Sequence, residues 1–284
     1  MQRLRIKHLT EYYYPAEVTL NPHKLLIRPR EGHDVRIESS KLVISPKYKI
    51  KWQRDVLDNS LAIVHFLERT NQLTIASEVV IQHYDQAPYD FSVEAYAEHY
   101  PFIYQLDEQA DLSAFQIPTF SMDQYVVSDW LRQFNWYGMQ TVSLLMLLNQ
   151  TISQQFRYQI REEAGVQTPA QTLMQRSGSC RDYATLLIEA CRCLGLASRF
   201  VSGYLHAPAT EVGNATTHAW VEVYLPGTGW KGFDPTSGEV TGNRHIAVAV
   251  ARNPETVSPV SGSFIGLGLM STKMVVNVQV NLIS

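Results

Sequence analysis

The chain has 284 residues, of which 45% are hydrophobic and 18% are charged. This is the composition of an ordered globular protein, and the length allows one large domain or two of ordinary size. The formal charge is -3, from 24 basic and 27 acidic residues with no dense basic block, so nucleic acid has no obvious surface to bind. We therefore expect two folded domains that do not bind nucleic acid.

The N-terminal sequence lacks an apolar core of signal-peptide length, and no stretch approaches the roughly 20 apolar residues that span a bilayer. The three cysteines, Cys180, Cys191 and Cys193, lie in one short segment, which excludes a secreted disulfide framework. We expect a cytoplasmic protein with reduced thiols and no contact with a membrane.

Residues 4–84 alternate apolar and polar side chains in six short runs that are broken by Asn, Pro, Gly and Asp. Such alternation is typical of strands with one covered face. The runs are LRIKHLTEYYY, HKLLIRP, RIESSKLVIS, YKIKWQRDV, SLAIVHFLE and QLTIASEVVIQHY. Residues 1–118 are thus predicted to form an antiparallel, β-sandwich-like domain that ends in an irregular connection over residues 86–118.

The hydrophobic period changes after this connection. Residues 121–134 and 140–156 have apolar side chains three and four apart, as in amphipathic helices, and Thr168 and Pro169 fit the N-cap and first position of another. A fourth helix starts near Cys180. The strands predicted after it are SRFVSGYL, THAWVEVYL, GWKGFDP, HIAVAVA and KMVVNVQVNLI. Residues 119–284 are therefore predicted to be an α+β domain.

Cys180 occupies a distinctive position at the start of the fourth helix. Ser179 and Asp182 fit an S-x-x-D capping pattern, which makes Cys180 the first helical residue. The helix dipole and the free N–H groups of the first turn favour a thiolate there, and the same N–H groups can stabilise an oxyanion. Position alone does not separate a nucleophile from a small packing residue.

The fourth helix also has a predicted inward face and a predicted end. Cys180 shares the stripe of apolar side chains with Ala184, Leu187, Cys191 and Leu194, and Gly195 is placed to end the helix.

A thiolate nucleophile needs a base and a group that orients the base. His218 opens one predicted strand and Asp234 closes the next, across the turn PGTG. If Leu225 paired with Trp230, His218 and Asp234 would lie on opposite faces of the sheet. A contact between them therefore requires a one-residue shift in the register, such as a bulge at Gly227, Gly229 or Gly232. We predict that shift.

Two segments carry a family resemblance: GSCRDYATLLIEACRCLGLASRFVSGYL, and THAWVEVYLPGTGWKGFDPTSGEV after it. They resemble the core of the bacterial transglutaminase-like superfamily, relatives of papain-type thiol enzymes, and the first half resembles the β domain that often precedes this core. The resemblance implies a papain-like α+β fold, with Cys180 as nucleophile, His218 as base and Asp234 as orienting acid. It implies neither a cofactor nor a metal.

The same resemblance implies acyl transfer from amide bonds of a protein or peptide substrate through a thioester on Cys180. With water as acceptor the protein is a cysteine peptidase or amidase, and with an amine it is a transglutaminase-like acyltransferase. A binding module that has kept the fold without the chemistry is a third reading, and loss of a triad residue would be its sign.

Other residues carry weaker expectations. Relatives supply a side-chain donor to the oxyanion, and the candidates here are Gln154, Gln155, Tyr158 and Gln175. Trp220 and Trp230 are expected to serve as packing residues. A metal held by Cys191 and Cys193 is disfavoured because residues two apart on a helix point about 200° apart. Residues 206–217 are expected to form one rim of the cleft.

Overall fold

The structure is a computed structural model that describes residues 1–84, 89–206, 217–266 and 272–283. It is an α+β fold, with an antiparallel β region followed by a helical layer on a second antiparallel sheet. The predicted rim at residues 206–217 falls almost entirely outside the described residues. No helix in the described ranges is long and apolar enough to cross a membrane.

All six strands predicted in the first half are present. They are β1 (Gln2–Leu20), β2 (His23–Leu25), β3 (Val35–Ser45), β4 (Tyr48–Arg54), β5 (Ser60–Phe66) and β6 (Thr70–His83). In one sheet β6 lies between β1 and β3, and in another β5 lies between β2 and β4. Apolar side chains from both sheets share one buried cluster, which includes Val18, Leu25, Val64 and Ile75. The N-terminal region is therefore a sandwich of antiparallel sheets, as the alternation predicts.

The helices follow in chain order. They are α1 (Leu106–Gln116), α2 (Gln124–Leu131), α3 (Thr141–Gln155), α4 (Pro169–Gln175) and α5 (Cys180–Cys193). A short parallel pair, β7 (Arg157–Tyr158) and β8 (Ser177–Gly178), joins the chain after α3 to the chain before α5. Helix α1 was not predicted, because its sequence LDEQADLSAFQ buries only Leu112 and has little apolar periodicity.

The second sheet carries the predicted hairpin. Its strands are β9 (Ser198–Leu205), β10 (Thr217–Leu225), β11 (Gly229–Asp234), β12 (Glu239–Val240) and β13 (His245–Ala251), in the spatial order β12-β11-β10-β9-β13. Helix α5 packs against β9 and β10. The start of α5 and the strands β10 and β11 thus come together at one place.

The last strands return to the N-terminal sheets. They are β14 (Val260–Ser261), β15 (Phe264–Ile265) and β16 (Lys273–Leu282). The sequence interpretation that placed residues 273–283 in the second sheet is wrong, because β16 pairs with β1 from Leu4 to Tyr13. This pairing covers the open edge of β1 and buries Val278 and Val280 in the main core. The division of the chain at residue 118 stays a prediction.

Buried polar contacts fix the N-terminal strands to the second sheet. The Asn59 amide donates to the Val250 carbonyl and accepts from the Val250 N–H, both at 2.8 Å. The His8 ring lies 2.8 Å from the hydroxyl of Tyr204 on β9. Since the polar groups are satisfied inside the core, these contacts fix how the two regions meet.

Candidate active site

The nucleophile candidate lies at the predicted start of α5. Ser179 is the N-cap, and Asp182 Oδ2 accepts hydrogen bonds from the Ser179 N–H at 2.8 Å and the Ser179 hydroxyl at 2.7 Å. The capping pattern is thereby confirmed, and Cys180 is the first residue of the helix with a half-buried side chain. Its thiol therefore lies at the positive end of the helix dipole.

The carboxylate beside this thiol is fully buried and paired. Asp182 is 0% exposed, and its Oδ1 accepts from Arg161 Nη1 and from the Gln167 N–H, each at 2.7 Å. The guanidinium compensates a negative charge that would otherwise oppose a thiolate on Cys180. Sequence reasoning missed Arg161, because nothing in its local pattern connects it with a helix that starts 19 residues later.

The C-terminal end of α5 and the burial of its side chains test the predicted helix end and the predicted inward face. Gly195 has a φ of +77°, and the N–H groups of Gly195 and Leu196 bond the carbonyls of Arg192 and Cys191, which closes the helix at the predicted glycine. The inner stripe of Ala184, Leu187 and Cys191 is buried as predicted, but residues on the opposite face are buried too. Helices α2, α3 and α4 contact α5 in addition to the sheet, so α5 is a central helix rather than a surface one.

The hairpin of β10 and β11 has the register that the site requires. Leu225 faces Gly229 rather than Trp230, so the predicted one-residue shift is confirmed. The shift arises in the turn, where the Thr228 N–H bonds the Leu225 carbonyl at 2.9 Å and Gly227 adopts a φ of +83°. Continued along the strands, this register sets Asp234 opposite Trp220, two residues from His218 and on the same face.

His218 and Asp234 are consequently in direct contact. His218 Nε2 lies 2.8 Å from Asp234 Oδ2, and the two side chains are 7% and 1% exposed. Burial disfavours the charge on His218, but the Asp234 carboxylate and hydrogen bonds to Asp234 and Cys180 outweigh it and raise the pKa of the imidazole. Burial likewise opposes ionisation of Asp234, yet the histidine contacts hold its pKa below the ordinary range. The pair therefore favours an imidazolium beside a carboxylate.

The thiol of Cys180 completes this line of contacts. It is among the groups that raise the pKa of His218, so it lies close enough to interact with the imidazole. Because Nε2 of the ring is committed to Asp234, Nδ1 is the nitrogen left for the thiol. The structure thus brings together all three residues that the sequence singled out, from a helix start and two neighbouring strands.

Two family models match the chain. The model of the transglutaminase-like superfamily matches residues 138–235, which include all three residues, and the model of the bacterial transglutaminase-like N-terminal region matches residues 4–82. The chain belongs to the transglutaminase-like superfamily.

Individual relatives cover the chain to different extents. An uncharacterized protein of Mycobacterium tuberculosis is 27% identical over an alignment of 276 residues that covers 92% of this chain and 87% of that protein. A protein-glutamine gamma-glutamyltransferase of Pseudomonas aeruginosa is 37% identical over an alignment of 67 residues that covers only 22% of this chain and 10% of that enzyme. A crystal structure from Cytophaga hutchinsonii, described as a candidate cysteine protease, has a TM-score of 0.76 at 18% identity over 100% of this chain and 91% of its own. That structure shares the fold of this transglutaminase-like chain.

Tyr158, one of the four candidate oxyanion donors, is close enough to Cys180 for the thiol to affect its pKa. Burial, followed by the charge of and hydrogen bond to Cys180, raises the pKa of Tyr158 to about 12. Strand β7 places it there by pairing Tyr158 with Gly178, two residues before Cys180. Gln175 instead accepts a hydrogen bond from Gln167 at 2.9 Å. Sequence spacing could not rank these residues, because the parallel β7–β8 pair is only two residues long.

The two tryptophans and a second histidine complete the surroundings. Trp220 is 2% exposed and packs against His218, whereas Trp230 lies under the guanidinium of Arg199, 4.1 Å from its ring centroid. His245 Nε2 lies 3.1 Å from Asp234 Oδ2, a contact that sequence reasoning did not anticipate. The facing atoms of His218, Asp234 and His245 lie within 4.8 Å of one another, and both histidine nitrogens contact Asp234 Oδ2.

Proposed function

We propose that this protein is a thiol-dependent acyl-transfer enzyme that acts on amide bonds. Water accepts the acyl group from the thioester, so the protein is a cysteine peptidase or amidase. Cys180 is the nucleophile, His218 the base and acid, and Asp234 the group that orients His218. The observation that supports the proposal is the 2.8 Å contact between His218 and Asp234, with the Cys180 thiol among the groups that raise the pKa of the same imidazole.

The electrostatics of this line favour the reactive form. An imidazolium at His218, held by an ionised Asp234, stabilises a thiolate on Cys180, and the dipole of α5 adds to the effect. The thiolate is the nucleophilic form of cysteine, and His218 holds the proton that Cys180 gives up.

The reaction then proceeds in two steps. The Cys180 sulfur attacks the carbonyl carbon of the amide, the C–N bond breaks, and the proton on His218 Nδ1 passes to the departing amine, which leaves a thioester. Water then gives a proton to His218 while its oxygen attacks the thioester. The C–S bond breaks, the carboxylic acid departs, and the thiolate–imidazolium pair is restored.

The negative charge on the carbonyl oxygen needs donors during both steps. The backbone N–H of Cys180 is one, since the first N–H groups of a helix have no intrahelical acceptor. The Tyr158 hydroxyl is the second. Because its pKa is raised to about 12, it keeps its proton at neutral pH and can donate it in a hydrogen bond.

An amine, in place of water, is the alternative acceptor of the acyl group. The same thioester and the same histidine serve aminolysis, and the resemblance of a 67-residue segment to the Pseudomonas glutamyltransferase favours it. In either case the acyl donor is a protein or peptide, and the difference lies in which nucleophile reaches the thioester.

One experiment tests for acyl transfer and shows whether water or an amine accepts the acyl group. Fluorescein-labelled casein is incubated with the wild type and Cys180→Ala, with and without monodansylcadaverine as the amine. Fragmentation lost in Cys180→Ala supports a peptidase, and dansyl incorporation lost in the same variant supports a transferase. Equal signals in both proteins contradict a role for Cys180. Retention of casein on immobilised wild type without turnover favours the binding-module reading.

A further inference from the structure

Asp234 Oδ2 is shared by two histidines. It lies 2.8 Å from His218 Nε2 and 3.1 Å from His245 Nε2, while Oδ1 accepts the Thr236 N–H at 2.9 Å. The Asp234 side chain is 1% exposed, so these contacts replace water around the charge. The triad accounts for the first histidine and leaves the second without a role.

A backbone contact selects the tautomer of His245. The Gly242 N–H points at His245 Nδ1 at 3.4 Å, and a ring nitrogen that accepts a hydrogen bond carries no proton. Nε2 is then the nitrogen that carries a proton toward Asp234 Oδ2. His245 thus donates to the carboxylate.

Packing holds the His245 ring in place. It is the first residue of β13, its side chain is 7% exposed, and the Trp220 ring meets it edge-on with centroids 5.2 Å apart. Trp220 has room there because β9 carries Gly203, where an added Cβ would lie 2.5 Å from the tryptophan ring. The same tryptophan packs against His218, so one side chain braces both histidines.

We propose that His245 is a positioning residue that acts through Asp234, fixing the carboxylate so that Oδ2 is directed at His218. The inference rests on the proposed roles of Cys180, His218 and Asp234 and extends them to a fourth side chain. Without the His245 donor the carboxylate loses one of its three hydrogen bonds and can rotate about its side-chain bonds. His218 is then oriented less well, and the thiolate of Cys180 is stabilised less.

A matched pair of amides tests this role. His245→Gln carries an amide donor near the position of Nε2, whereas the shorter His245→Asn carries it near Nδ1 and cannot reach Asp234. His245→Phe serves as a second donor-free variant, which keeps an aromatic ring against Trp220. The rate of Cys180 alkylation by iodoacetamide is measured from pH 4 to 10 by peptide mass spectrometry, beside the melting temperature of each protein.

We expect the acid limb of the alkylation profile to move up by about one pH unit in His245→Asn and His245→Phe, and to return toward the wild type in His245→Gln. Profiles that match the wild type in both donor-free variants overturn the inference and leave the triad intact, whatever happens to the melting temperature. A wild-type profile without reactivity at low pH overturns the proposed function and this inference together.

Discussion

His218 Nε2 lies 2.8 Å from Asp234 Oδ2, although 16 residues and a glycine-containing turn separate the two in the chain. The contact depends on the register of the hairpin, in which Leu225 faces Gly229. A shift by one residue would turn Asp234 to the opposite face of the sheet. The turn thus determines whether the base of the proposed reaction has its orienting acid.

Replacing Asp234 by Asn should leave the hairpin in place but remove the charge that stabilises the His218 imidazolium. The pKa of His218 should fall toward or below its ordinary value, because burial then acts without the opposing carboxylate. We expect turnover to drop by about 10²- to 10⁴-fold. An NMR titration of the imidazole signals in wild type and Asp234→Asn measures the change, and an unaltered His218 titration would contradict the account.

Replacing Cys180 by Ala should abolish turnover while the fold survives. The side chain is small and half-buried at the first position of α5, so the cost in stability should be about 1 kcal/mol or less. Circular dichroism melting of both proteins beside the casein assay checks both halves of the expectation. Turnover that persists in a folded Cys180→Ala protein is incompatible with a Cys180 thioester.

Tyr158→Phe should reduce turnover by on the order of 10²-fold, because one donor to the oxyanion is lost. The alkylation of Cys180 by iodoacetamide has no oxyanion, so its rate should change far less. Steady-state kinetics on a peptide amide and the alkylation rate are compared in the two proteins. Equal losses in both assays would mean that Tyr158 supports the thiolate rather than the oxyanion.

Arg161→Leu should destabilise the start of α5, because the 0% exposed Asp182 carboxylate would lose its cation at 2.7 Å. Breaking a buried pair in this way costs about 3–5 kcal/mol, and the uncompensated charge should also slow alkylation of Cys180. Arg157→Leu is the matched control, since Arg157 is exposed on the neighbouring β7. Urea unfolding of the two variants should separate them, and equal midpoints would argue against the pairing.

The His218–Asp234 pair should also shape how stability depends on pH. The pKa of His218 is raised on folding, so its contribution is fully present below the unfolded value of about 6.5 and is lost as pH rises through the folded value. The pKa of Asp234 is lowered, so its contribution is present above about 3.8 and is lost as pH falls further. In the Cys180→Ala background, where no thiol titrates at this position, the protein should lose on the order of 1–3 kcal/mol more stability between pH 5.5 and 9.5 than the same protein with His218→Ala, as measured by urea unfolding. Parallel curves would contradict the raised pKa.

The sequence predicted the local parts of this site well. The cap at Ser179, the helix start at Cys180 and the end at Gly195 follow from short-range rules about caps and glycines, whereas the hairpin shift was predicted because a contact between His218 and Asp234 requires it. Each of these features depends on residues close together in the chain, and that is why each could be inferred without the fold.

Contacts between distant segments were not predictable in the same way. Arg161 reaches Asp182 from an irregular segment, and His245 reaches Asp234 from the far edge of the sheet, so neither has a local signal. Strand β16 was assigned to the wrong sheet because alternation identifies a strand but not its partner. Helix α1 was missed because it packs through one fully buried residue, Leu112.

The central claim is that Cys180 is a thiolate activated by His218, and the most direct test is its alkylation by iodoacetamide as a function of pH in wild type and His218→Ala. Peptide mass spectrometry follows Cys180 and, as internal references in the same helix, Cys191 and Cys193. We expect Cys180 alone to react at pH 5–6, where ordinary thiols are protonated, and this reactivity to disappear in His218→Ala. Reaction of Cys180 only above pH 8, or equally in both proteins, would contradict the claim.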